Sequence, residues 1–183
     1  MASLPNPETV TYEEWLEVPV VDGGIGEVVD GEIILMPLAR RTQARIIAQL
    51  MQALQNRLDE ACYETVTGGL GVVIGKVPLT CRNPDIAVFD RIIEENGYYH
   101  STPQLAIEVL RPSGTRRMSE RELRDYGDIG TSEVWGVSPE ASTVEVLRLA
   151  DGHLRRAAIL AQGILKPRAF PNVQVDISSI WPD

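Results

Sequence analysis

Leu105-Ala106-Ile107-Glu108-Val109-Leu110 is an apolar run broken by a single acid. Such a run reads as a buried strand. A buried strand tolerates a carboxylate poorly unless the acid is paired or binds a metal, so Glu108 needs a reason to be there. A second acid has a similar setting. Asn83-Pro84-Asp85 leads into Ile86-Ala87-Val88-Phe89, and Asp85 opens another apolar strand. Two carboxylates on adjacent strands can hold a hard divalent cation through oxygen. Such an ion polarises a phosphoryl oxygen and lowers the pKa of a bound water. Glu27, in Gly26-Glu27-Val28-Val29, supplies a third oxygen donor if its hairpin joins the same sheet. The competing reading is structural: Asp85 caps a turn after Pro84, and Glu108 pairs with a nearby arginine.

Around these strands the chain alternates between two periodicities. Thr11-Tyr12-Glu13-Glu14 is a capping-box pattern opening a short helix through Trp15 and Leu16. Asp30-Gly31 between Gly26–Val29 and Glu32–Met36 is a hairpin signal, because both turn positions tolerate positive φ. Pro37 to about Ala61 reads as the long helix, with Ile46, Ile47, Leu50, Met51, Leu54 and Leu58 on one face. Gly68-Gly69-Leu70-Gly71 is a bend and lacks the lysine of a phosphate loop. Val72–Ile74 is a strand, and Asp90–Thr102 is a polar connection. A short helix is expected from Ser119 to about Tyr126. Glu133–Val137 and Thr143–Leu149 follow as strands, and Asp151-Gly152 turns the chain into Leu154–Leu160. Trp135 is expected to be a core or packing residue, and His100 to lie at the surface. The pattern predicts an α/β (α+β) sandwich in one domain spanning residues 1–183.

Composition limits the function classes. The chain has 183 residues, 44% hydrophobic and 23% charged, which suits a globular domain with a real core. The net charge is -9, the wrong sign for indiscriminate nucleic-acid binding. Of 17 basic residues only Lys76 and Lys166 are lysines, and the rest are arginines. Arginine stays charged and forks onto phosphate or carboxylate, but it transfers protons poorly. Cys62 and Cys81 lack zinc-ligand spacing and read as reduced thiols. No leader and no membrane-length apolar run is read, so a cytoplasmic protein is expected.

Five pieces in order resemble the Uma2 family, the DUF820 group of the PD-(D/E)xK nuclease superfamily. They are Glu27-Val28-Val29-Asp30-Gly31-Glu32, Pro84-Asp85, Glu108-Val109-Leu110-Arg111-Pro112-Ser113, Tyr126, and Glu133-Val134-Trp135-Gly136-Val137. The resemblance runs from about Tyr12 to Trp181. It implies a restriction-endonuclease-like core: a mixed β-sheet flanked by helices, with an N-terminal β-hairpin. It also implies an endonuclease that depends on Mg²⁺ or Mn²⁺ and cuts nucleic acid, with Glu27, Asp85 and Glu108 as catalytic, metal-holding acids. A homodimer is expected by the same analogy.

The departures concern the lysine. The family places it on a helix four residues before the tyrosine, and counting back from Tyr126 gives Glu122. An aspartate four residues earlier falls at Met118, and a histidine near the start of the long helix falls at Thr42. The simplest lysine position after Glu108 is Leu110. Such a lysine orients the attacking water or steadies charge on the phosphate. Arg121 is therefore expected to supply the catalytic positive charge, with Arg111, Arg117 and Arg124 as other candidates. Arg111, Arg116 and Arg117 are expected to bind nucleic acid. A plainer reading makes the arginine run a solvated face paired with Glu120, Glu122 and Asp125. Two further function readings stay open. One is a nuclease-fold protein that no longer cuts and instead binds nucleic acid or a protein. The other is an interaction module whose acids are structural.

Overall fold

The computed structural model describes residues 9–18, 24–37, 39–69, 71–111 and 118–182. Arg116 and Arg117, two of the expected rim residues, lie outside them. Helix α1 (Tyr12–Leu16) opens on the expected capping box, with the Glu14 N–H on Thr11 Oγ1 at 3.2 Å and the Thr11 N–H on Glu14 Oε2 at 2.9 Å. Strands β1 (Gly24–Val29) and β2 (Glu32–Pro37) form the hairpin. Its turn residues Asp30 and Gly31 sit at φ 49° and 82°, as an Asp-Gly turn requires.

Helix α2 (Arg41–Gln55) is shorter at both ends than the apolar spacing predicts. Pro37 completes β2 opposite Gly24, where a missing N–H is tolerated on an edge strand. Arg40 is the extended N-cap residue, and Asn56 caps the helix two residues after Leu54. The chain continues through β3 (Glu64–Thr67), β4 (Gly71–Lys76), β5 (Leu79–Arg82) and β6 (Ile86–Phe89). The polar connection holds two short strands, β7 (Glu94–Glu95) and β8 (Tyr98–Tyr99). Next come β9 (Leu105–Val109), α3 (Glu120–Asp128), β10 (Glu133–Ser138), β11 (Thr143–Ala150) and β12 (His153–Leu160). A small ribbon of β13 (Ile164–Leu165) and β14 (Val175–Asp176) and a 3₁₀ turn at Ile177–Ser179 close the described chain.

The strands build two mixed sheets. The hairpin sheet has the order β2-β1-β5-β4-β8-β7, and the central sheet β12-β11-β10-β9-β6-β3. Parallel pairing occurs at β4–β8 and at β9–β10; the other pairs are antiparallel. Helix α2 covers one face of the central sheet, where Ile46, Leu50 and Leu54 meet Ile86, Val88, Leu105, Ile107 and Trp135. Each of those helix side chains is fully buried, which contributes about 1.5–3 kcal/mol apiece. Helix α3 covers the opposite face, where Tyr126 and Met118 pack with Ala106, Val134 and Leu147. Val72 of β4 packs against Ala87 and Phe89, bringing the hairpin sheet to this same face. The two sheets are joined by Asn83-Pro84-Asp85, which carries the chain from β5 to β6. No helix among the described residues is long and apolar enough to cross a membrane.

Candidate functional site

The site lies where the hairpin sheet, the central sheet and α3 meet. Strands β6 and β9 pair antiparallel with Ile86 opposite Ile107 and Ala87 opposite Ala106. One more step of that register sets Asp85 opposite Glu108, and directly opposed residues share a face. Side-chain alternation then divides β9. Ile107 and Val109 face α2, while Ala106 and Glu108 face α3. Asp85 Oδ2 accepts the Val109 N–H at 2.7 Å, and Thr67 Oγ1 donates to the Asp85 carbonyl at 2.6 Å. Glu108 Oε1 accepts the Tyr126 hydroxyl at 2.6 Å.

Burial decides the electrostatics. It lifts the Asp85 carboxyl to about 6, against the Val109 hydrogen bond and the Arg111 charge, and Glu27 adds to the rise. Glu108 is pushed well above the usual carboxylate range, first by burial and then by Asp85, despite its bond from Tyr126. The Tyr126 hydroxyl is itself raised by burial and by Glu108. Two desolvated carboxylates therefore repel each other across one strand pair, with Arg111 the cation that Asp85 feels.

Glu27 reaches the same corner but is engaged. The register of β1 and β5, Val28 opposite Cys81, sets Glu27 opposite Arg82. Arg82 donates from Nη1 to Glu27 Oε2 at 2.9 Å, and from Nε and Nη2 to Asp125 Oδ2 at 2.8 and 2.6 Å. The Asn83 N–H donates to Glu27 Oε1 at 3.0 Å. Arg82, Glu27 and Asp125 are 5%, 8% and 9% exposed, so this is a buried ion triad linking the hairpin sheet to α3. Among the described residues no three His, Cys, Asp or Glu side chains form a cage ready for a metal ion.

Helix α3 supplies Tyr126 and Asp125 and no cation. Glu122, at the family's lysine position, is the N3 residue of a capping box: its carboxylate takes the Ser119 N–H at 2.6 Å and the Ser119 hydroxyl at 2.7 Å. Met118 is buried apolar packing. Arg121, expected to face the acids, is instead paired with Asp30 of the hairpin turn, one residue round the helix from Glu122. Lys76 Nζ stands 4.3 Å over the Tyr12 ring, and Lys166 lies by β13. Neither lysine joins the acids.

The model of the Uma2 family, described as "Putative restriction endonuclease", matches residues 12–178. The chain belongs to the Uma2 family. The Uma2 fold is also seen in a solved structure, that of "a putative nuclease belonging to DUF820" from Anabaena variabilis ATCC 29413. That structure is similar over 93% of this chain and 97% of its own, with a TM-score of 0.77 and 21% identity. Among curated proteins there is no match.

Within this Uma2 chain, the fold sets Asp85 and Glu108 on neighbouring strands, with Glu27 near enough to raise both and Arg111 near enough to act on Asp85, but the three acids do not converge into one cage. It does not bring Arg121 to them. Sequence reasoning missed Arg82, although a charged residue ending Leu79-Thr80-Cys81-Arg82, three before Asp85, was a signal of a buried partner. It also missed that Asp125 faces inward, and that Gln43 of α2 donates from Nε2 to the Val109 carbonyl at 2.9 Å. The His100 ring, expected at the surface, is instead half-buried against the Tyr12 hydroxyl at 3.1 Å.

Proposed function

We propose that this protein is a nuclease that hydrolyses phosphodiester bonds in nucleic acid with the help of Mg²⁺ or Mn²⁺. The observation that carries the reading is Asp85 opposite Glu108 at one corner of the central sheet, both desolvated and both raised in pKa. Such a pair fits a hard divalent cation, which would replace mutual repulsion with attraction on both acids. Asp85 and Glu108 are the residues that would hold it, and Glu27 would join them only by exchanging its bond from Arg82. A bound ion would supply Lewis acidity and a more acidic water.

The chain's own groups do the rest. The Val109 N–H and the Tyr126 hydroxyl hold the two carboxylates in place. Arg82 keeps Glu27 oriented and is a positioning residue, since its donors are already spent on two acids. Arg111 is the cation that steadies charge on the phosphate in the lysine's stead. In the reaction, the water oxygen bonds to phosphorus and gives up one of its protons to solvent, the bond to the leaving oxygen breaks, and that oxygen takes up a proton from solvent.

A second reading has its own support: the family's lysine position is a helix cap, and neither lysine is at the site. On that reading the protein binds nucleic acid or a protein without cutting. One assay separates the two. Purified protein is incubated with duplex DNA and single-stranded RNA under Mg²⁺ or Mn²⁺, beside Asp85→Asn, Glu108→Gln and Arg111→Ala. The nuclease reading expects cleavage that falls at least about 100-fold in the two acid variants and at least about tenfold in Arg111→Ala. Cleavage equal in wild type and Asp85→Asn, or absent throughout, overturns it.

A further inference from the structure

The chain carries 26 acids, yet residues 33–58 contain none. Residues 109–119 contain none either. The first stretch holds Arg40, Arg41, Arg45 and Arg57; the second holds Arg111, Arg116 and Arg117, of which Arg111 is among the described residues. The fold joins these two acid-free stretches at one hydrogen bond, Gln43 Nε2 to the Val109 carbonyl at 2.9 Å. Gln43 Oε1 also takes the Arg40 N–H at 3.0 Å, so the start of α2 is tied to the end of β9. The Val109 N–H is on Asp85, so a single residue separates the first turn of α2 from the acidic pair.

Among the described residues, the arginines that are in salt bridges all lie outside these two stretches, although Arg91, Arg124 and Arg168 also lie outside them and are in none. Arg82, Arg121, Arg148, Arg155 and Arg156 are all in salt bridges with acids. Among the described residues, Arg40, Arg41, Arg45 and Arg111 are in none, and the N-cap Arg40 and the α2 residues Arg41 and Arg45 are exposed. Exposed arginines with no salt-bridge partner leave their charge open to a ligand, and Arg111 faces the raised carboxyl of Asp85. A protein of net charge -9 repels a polyanion over most of its surface, so a strand of phosphates is steered to the patch where positive charge is unopposed.

We propose that the first turns of α2, through Arg40, Arg41 and Arg45, together with Arg111 beyond β9, form a rim that binds the phosphodiester backbone of a nucleic acid and delivers it to Asp85 and Glu108. The rim's destination rests on the nuclease reading; its binding does not. The contacts are to phosphate, so the rim confers salt-sensitive affinity with no base preference of its own.

The test is fluorescence anisotropy with labelled duplex DNA and with labelled single-stranded RNA, over a range of salt in EDTA, where nothing is cut. The proteins are wild type, Arg41→Glu/Arg45→Glu, and Arg155→Glu on the edge strand β12 as a control. Negative charge in the first turns of α2 suits the helix dipole, so the double variant is expected to fold, and circular dichroism checks this. The double variant should bind at least tenfold more weakly on whichever nucleic acid wild type prefers. Its slope of log K against log salt should be smaller by about two, while Arg155→Glu matches wild type. A double variant that binds with wild-type affinity and slope overturns the rim, even if Mg²⁺-dependent cleavage is found. Rim behaviour as expected, with no cleavage by wild type, leaves the rim standing and removes the nuclease reading. No binding by wild type to either probe overturns the rim outright.

Discussion

Glu108 and Glu133 are both acids in apolar strands, on the neighbouring β9 and β10, and their surroundings are opposite. Glu133 is 1% exposed and accepts the Trp135 indole N–H at 2.6 Å, Arg148 Nε at 2.8 Å and the Arg168 N–H at 3.2 Å. It shares the face of Trp135, over the main core. Among the described residues, Glu108 accepts only from the neutral Tyr126 hydroxyl, and its near charges are Asp85, Glu27 and Glu122. One acid is answered by a cation and two N–H donors. The other is surrounded by like charge. An acid inside a strand therefore does not by itself mark a functional site; the partners decide it.

The largest effect that tests this contrast comes from the triad beside Glu108. Arg82→Ala leaves Glu27 and Asp125 buried without a cation. Chemical denaturation should register a loss of about 3–5 kcal/mol. A loss below about 1 kcal/mol would mean that water reaches both acids and that the triad does not clamp α3. Next come the two strand acids themselves. Glu133→Ala strips partners from Arg148, Trp135 and the Arg168 N–H and should cost about 2–4 kcal/mol. Glu108→Gln removes a repelled charge and keeps the shape, so metal-free stability should hold within about 1 kcal/mol or rise. Equal losses in the two variants would erase the distinction between them.

How far the chain could be read without coordinates follows from the same pair. Both Asp-Gly hairpins, the α2 stripe and the capping box at Thr11 were legible, because each is a local rule acting within a few residues. Asp85 and Glu108 were legible as a pair because each interrupts an apolar strand. Arg82 was not. Its partners lie 55 and 43 residues away in sequence, on β1 and α3, and nothing local reveals that register. Arg121 was misplaced for the converse reason. Counting along α3 puts it beside the lysine position, but about 100° of rotation carries it to Asp30. Glu122 looked like an inverted catalytic charge, and Ser119 three residues before it makes it a cap.

A smaller effect separates Asp85 by pH. Its carboxyl rises from 3.8 unfolded to about 6 folded, so folding favours the protonated form. The native state binds more protons than the unfolded state between those values, and stability falls as pH rises through that window. In EDTA, wild type should lose on the order of 1–2 kcal/mol between pH 4 and pH 7 relative to Asp85→Asn, half-burial reducing the full linkage. Parallel stability curves for the two proteins would show that Asp85 is well solvated. Added Mg²⁺ or Mn²⁺ should restore the loss at pH 7 in wild type alone.

The smallest effect concerns Arg121, and it sharpens the comparison most. Its ion pair with Asp30 joins a side chain 44% exposed to one 62% exposed. Such a pair stabilises by under about 1 kcal/mol, and Arg121→Ala should shift the denaturation midpoint barely at all. Cleavage should also hold, because the guanidinium is committed to the hairpin turn and Arg111 is the cation at Asp85. A tenfold fall in cleavage with stability intact would reverse that assignment. Arg121 would then have to leave Asp30 for the phosphate when substrate binds, and Asp30→Ala should raise activity by freeing it. If neither Arg111→Ala nor Arg121→Ala matters to a protein that cuts, the charge on the phosphate is met by the bound divalent ion alone. The family's helix lysine would then be dispensable here because Asp85 and Glu108 bind that ion tightly enough to do its work.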